Sequence, residues 1–98
     1  MADNEIVRVM LGEAALAAAK AAAAESKTEI RRRVDRCVLA FRAAFAVAED
    51  MGDSESMGKA LAGLNSICHA AIAAQLGRVE TAASSAMAAA KSAGFAMA

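Results

Sequence analysis

Cys37, Cys68 and His69 are the residues of this chain with the most chemical reach. Two thiols can form a redox-sensitive disulfide or share a metal, and a histidine beside a cysteine can act as its base. The spacing argues against each use. A zinc site needs about four ligands, and the chain offers two cysteines, one histidine and no Cys-x-x-Cys. On a helix, His69 points roughly 100° away from Cys68. The expectation is therefore two small buried hydrophobes, Cys37 and Cys68, and a boundary histidine, with no catalytic residue and no metal ligand.

Arg31, Arg32, Arg33 and Arg36 form the second chemical cluster, within a stretch (27–42) of six basic and two acidic side chains. Such a cluster is a candidate surface for an anionic partner. The arginines fan around a helix, and no aromatic residues interleave with them to stack bases. Net charge is zero, with 11 basic and 11 acidic side chains, so neither a nucleic acid nor a membrane surface is the expected partner. Glu29 with Arg33 and Arg31 with Asp35 are spaced to pair along a solvated helix. Glu49, Asp50, Asp53 and Glu55 lie close together with no base among them, so basic shaft and acidic tip permit head-to-tail contacts. No paired carboxylates, glycine-rich phosphate loop or serine–histidine–aspartate order is present, and neither an enzyme nor a cofactor is expected.

These groups must be carried by helices. Alanine supplies 30 of the 98 residues, and proline, tyrosine and tryptophan are absent. Alanine has the best helix propensity, because it loses no side-chain entropy. The expected fold is all-α, one alanine-rich helical domain over 1–98. The clearest break is 50–55. Gly52 can take the left-handed conformation that ends a helix, Asp53 or Ser54 can cap the next one, and Glu55 suits its N-terminal end.

Before that break, Ile30, Val34, Cys37, Val38, Phe41, Phe45 and Ala48 fall within roughly 60° of one line. After it, Met57, Leu61, Leu64, Cys68, Ala71, Ile72, Val79, Ala82, Ala86 and Ala90 form a second seam. Val7, Leu11, Ala14, Ala18, Ala21 and Ala22 mark one side of the N-terminal segment, about residues 3–25. Facing residues whose numbers sum to 105 pair Phe41 with Leu64, Val38 with Ile67 and Cys37 with Cys68. The same register sets alanine tract 14–24 beside tract 81–91. The spacing predicts a long antiparallel helical hairpin, with helices over about 3–50 and 54–92. Ser26-Lys27-Thr28-Glu29 fits a capping box, which would break the first helix near 26–28. The absence of glycine and proline from 13–51 favours continuity. Arms of about 45 residues would be ~68 Å long. Two such helices bury one stripe each, so oligomerisation would complete the core; a three-helix bundle is the alternative.

A chain of this size with a helix–helix turn around Met51-Gly52-Asp53 resembles the WXG100 class of secreted helical hairpins. The Trp-x-Gly of that class and its C-terminal Tyr-x-x-x-acid signal are missing. Val7-Arg8-Val9-Met10-Leu11-Gly12-Glu13-Ala14 is similar to a Val-Lys-Val-x-Gly-Glu-Ala stretch of the polymer-forming R-body subunits. It covers under a tenth of the chain. The first resemblance implies an exported hairpin, the second a self-assembling subunit. The start Met-Ala-Asp-Asn-Glu lacks the basic and apolar regions of a signal peptide, no run suits a membrane span, and a cytoplasmic location is expected.

The expected function is that of a non-enzymatic structural or interaction protein, a self-associating subunit of a homo-oligomer or filament. Its contact and core residues would be Val34, Cys37, Val38, Phe41, Phe45, Met57, Leu61, Leu64, Ile67, Cys68 and Ile72. A small adaptor binding an anionic or protein partner through Arg31, Arg32, Arg33 and Arg36 is one alternative, and a secreted WXG100-like hairpin another.

Overall fold

Alanine content makes helix nearly everywhere, so the architecture is decided by where the helices stop. The computed structural model describes residues 2–94, with side chains described from residue 5. Among the described residues it has four helices: α1 (Ala2–Ala22), α2 (Lys27–Asp50), α3 (Ser54–Gln75) and α4 (Val79–Ser92). No strand occurs among the described residues.

The α2–α3 turn follows the sequence signal. Gly52 has φ 67°, its N–H donates to Glu49 O at 3.1 Å, and the Asp53 N–H donates to Ala48 O at 3.0 Å. This paired closure satisfies two carbonyls that the helix end leaves free. Asp53 then caps α3, its carboxylate accepting from the Ser56 N–H at 3.1 Å and from the Ser56 hydroxyl at 2.7 Å. The α3–α4 turn repeats the closure at Gly77, with φ 73° and bonds from Gly77 N to Ala74 O and from Arg78 N to Ala73 O. No side chain caps α4.

The break between α1 and α2 uses no glycine. The Ser26 hydroxyl accepts from the Glu29 N–H at 3.1 Å. Glu29 does not complete the capping box; its carboxylate accepts from Arg33 Nε at 2.8 Å instead.

Helices α1 and α4 each pack on their sequence neighbours and on each other, with little contact across the diagonals. The result is an antiparallel four-helix bundle rather than a two-helix hairpin or a three-helix bundle. Its longest dimension is 41 Å, not the ~68 Å of an extended arm. The bundle is the expected hairpin doubled over at mid-height. Its two extra breaks, at 23–26 and 76–78, lie nearly level across the central turn, so α1 still lies beside α4. A single-stripe hairpin leaves its other faces wet, and doubling over lets each helix bury a wider face.

The interior is small in volume. Of the 22 buried apolar residues among those described, 15 are alanine and one is leucine, Leu11. The larger buried side chains are Phe41, Ile30, Ile67, Val7, Val34 and Cys37. From the expected contact set, Val34, Cys37, Phe41 and Ile67 are buried, and Val38, Phe45, Met57 and Leu64 are half-buried against them. Leu61, Cys68 and Ile72 are exposed instead. The inward face of α3 is Ser56, Ala60, Gly63, Ile67, Ala70, Ala73 and Ala74. The cause is Phe41: its ring fills the space beside Gly63, where a Cβ would overlap Cε1, Cδ1 and Cζ. Only the small-residue side of α3 fits against it.

Candidate interaction surfaces

The doubling-over assembles surfaces from residues far apart in sequence. On one side, α1 and α2 enclose a groove of about 260 Å³ lined by Glu13, Leu16, Ala17, Lys20, Arg32, Arg33 and Arg36. Three of the four expected arginines meet there, joined by Lys20. Arg31 is exposed and does not line it. Arg33 is held by Glu29, while Arg32 and Arg36, one turn apart, are exposed. Glu13, Leu16 and Lys20 become part of this site only because the chain turns back at 23–26. A hairpin with a straight first arm would have kept them far from α2.

At the opposite end, Arg8, Leu11, Asp53, Glu55, Ser56 and Lys59 line a polar pocket of about 120 Å³. The acidic turn is therefore not without bases. Arg8 comes from α1, and Lys59 pairs with Glu55 at 3.4 Å. The Asp53 carboxyl is held below its ordinary pKa of 3.8, first by the Ser56 hydroxyl, then by the Ser56 N–H, with help from Arg8 and Lys59. This partial neutralisation weakens the case for the turn as a free acidic knob seeking a basic shaft.

The thiols separate. Cys37 is buried, and burial pushes its pKa from 9.0 up to about 11 against a smaller opposing pull from Arg33. It is a protonated, unreactive thiol at neutral pH. Cys68 is free and exposed. The two lie on different sides of the α2–α3 pair, so the level register expected from their numbering does not bring the sulfurs together. His69 is exposed beside Cys68. Among the described residues no three His, Cys, Asp or Glu side chains gather as a metal site, and no helix is long and apolar enough to cross a membrane.

The largest departure from an ordinary surface is the outside of α3. Leu61, Ile72 and Leu76 are 54%, 62% and 66% exposed. Asn65 and Cys68 complete their line. From residue 60 to residue 77 no Asp, Glu, Lys or Arg occurs. The outer faces of α1 and α2 also carry exposed aliphatics, Ile6, Val9, Leu16 and Leu39, but Glu5, Arg8, Glu13, Arg32 and Arg36 interleave with them.

No protein-family model matches the chain, and no curated protein or solved structure resembles it at a significant level. The surfaces themselves carry the functional reading.

Proposed function

We propose that this chain is a non-enzymatic structural or interaction subunit that self-associates through its exposed aliphatic faces, that of α3 foremost. One observation carries the reading: the leucines are distributed inside out. Four of the six leucines (Leu16, Leu39, Leu61 and Leu76) are exposed, while alanine makes up most of the interior. Each large aliphatic side chain moved out of water contributes about 1.5–3 kcal/mol. A folded monomer leaves most of that stabilisation unused, and contiguous apolar patches mark interaction sites. A second copy of the same chain supplies a matching apolar face without requiring any other molecule.

The test is size-exclusion chromatography with light scattering at two concentrations about a hundredfold apart. A mass of two or more chains that falls on dilution is the expected result. A mass of one chain, 9.9 kDa, at both concentrations would remove the proposal.

A second reading is favoured by the α1–α2 groove, where Lys20, Arg32 and Arg36 surround the apolar floor of Leu16 and Ala17. In this reading the chain is a small adaptor that takes an anionic partner there. Arg32→Glu with Arg36→Glu would abolish binding to a polyanion such as heparin at low salt while leaving helicity intact. Absence of binding by the parent chain at low salt would discard it.

A further inference from the structure

We infer that the self-associated form is an isologous dimer in which α3 packs antiparallel on α3 of a second copy, with Cys68 at the two-fold axis. This inference rests on the self-association proposed above and specifies its face, direction and register.

Three observations converge on it. The outer line of α3 runs through Leu61, Asn65, Cys68, Ile72 and Gln75, with Leu76 beside the last. These are steps of four, three, four and three residues, the spacing of a helix seam that faces another helix, apolar at Leu61, Cys68 and Ile72 and uncharged polar at Asn65 and Gln75. The exposures of Leu61, Ile72 and Leu76 show that nothing among the described residues covers this seam. The charges fix the partner. An isologous interface sets one face against itself, so a face rich in one sign repels its copy, as the arginines of α2 would. Between Lys59 and Arg78 the α3 face has no formal charge to bury.

Charge also fixes the direction. An antiparallel pair centred on Cys68 sets Leu64 level with Ile72 of the other copy and Leu61 level with its Gln75. Arg78 then falls level with the other copy's Gly58, between its Glu55 and Lys59, which neutralise each other as a pair. A parallel pair would instead set Arg78 beside Arg78 and Glu55 beside Glu55. The seam from Leu61 to Leu76 is ~24 Å long. It is narrower than the ~800 Å² per partner of a standard interface, so the dimer should be concentration-dependent, with a Kd on the order of micromolar.

Exposed Cys68 reports the geometry directly, because a disulfide needs Cα atoms within about 7 Å. The reduced chain is oxidised with copper–phenanthroline and oxygen, then resolved on a non-reducing gel with mass mapping. The expected product is a dimer linked Cys68 to Cys68, lost in Cys68→Ser. Leu61→Glu should raise the dissociation constant about a hundredfold and suppress the link in proportion. In a Cys68→Ser background, Ile72→Cys should not cross-link to itself, since antiparallel packing separates the two 72 positions by ~12 Å. Efficient 72–72 linkage would overturn the antiparallel direction. A light-scattering dimer with no Cys68 link, or a link that survives Leu61→Glu, would overturn the α3 seam while leaving self-association standing. A monomer at every concentration would overturn both.

Discussion

The ring of Phe41 on α2 occupies the space that a side chain at Gly63 on α3 would need. Gly63→Ala sets two effects against each other. Alanine gains up to about 1 kcal/mol over glycine within a helix, and overpacking a core costs about 1–3 kcal/mol. Phe41 is fully buried and has little room to retreat, so the steric cost wins. Gly63→Ala should lose about 1–2 kcal/mol in urea unfolding. Gly12→Ala and Gly58→Ala meet nothing within 4 Å and should gain up to about 1 kcal/mol. Equal effects at positions 63 and 58 would refute the close approach.

Thiol chemistry should divide the cysteines. At dilutions where the chain is monomeric, a disulfide reagent at neutral pH should modify Cys68 quickly and reach Cys37 only on unfolding. The raised Cys37 pKa also makes stability depend on pH. Folded Cys37 keeps its proton up to about pH 11, while an unfolded thiol loses it above 9.0. The unfolded state is thereby favoured as pH rises. The Cys37 contribution is complete below pH 9.0 and is lost as pH climbs toward about 11. Cys37→Ala should flatten this alkaline slope in thermal melts, and an unchanged slope would exclude Cys37 as its source.

Helix ends offer changes of opposite sign. Ser26→Ala removes the hydroxyl that accepts from Glu29 N and should cost about 1 kcal/mol. Arg78 begins α4 without a side-chain cap, so Arg78→Ser should add about 0.5–1 kcal/mol. Urea midpoints of the two variants should move in opposite directions from the parent.

Acid should loosen the α2–α3 turn. Asp53 has a depressed pKa because its ionised form accepts from both donors of Ser56. Its contribution is complete above the ordinary value of 3.8 and is lost as pH falls through the lower folded value. Asp53→Asn should remove that component, leaving a shallower acid transition in circular dichroism. An identical acid transition would show that the turn does not sense pH through Asp53.

The sequence was most legible where side-chain chemistry and backbone demand coincide. Gly52 followed by Asp53 is such a place, and the break there is where its spacing predicts. Gly77 makes the same left-handed closure but is followed by Arg78, which cannot cap; half of the signal is missing, and the stop was not anticipated. Ser26 had the opposite history. Its cap is visible, but the absence of glycine and proline nearby favours continuity, and the apolar area gained by folding back outweighs it. Size alone does not give the inward face of α3, because its large residues are spread around the helix. Leu61 and Ile72 form a reasonable stripe by size, and only Phe41 against Gly63 decides that the small side turns inward. Arg32, Arg33 and Arg36 were visible as a cluster. Lys20 and Glu13 joined them only through the unforeseen turn at 23–26.

An interior built largely of methyl groups also has a calorimetric consequence. The heat-capacity increment of unfolding grows with the apolar area newly wetted, and typical domains show about 12–15 cal/mol/K per residue. Alanine brings less apolar area into the interior than leucine or phenylalanine would, and the exposed leucines of a monomer are wet already. The increment should therefore lie below that range. Its stability curve would be correspondingly flat, changing little with temperature around its maximum. Covering the leucines with a second copy would restore the missing curvature, so the bend of the curve itself would depend on protein concentration.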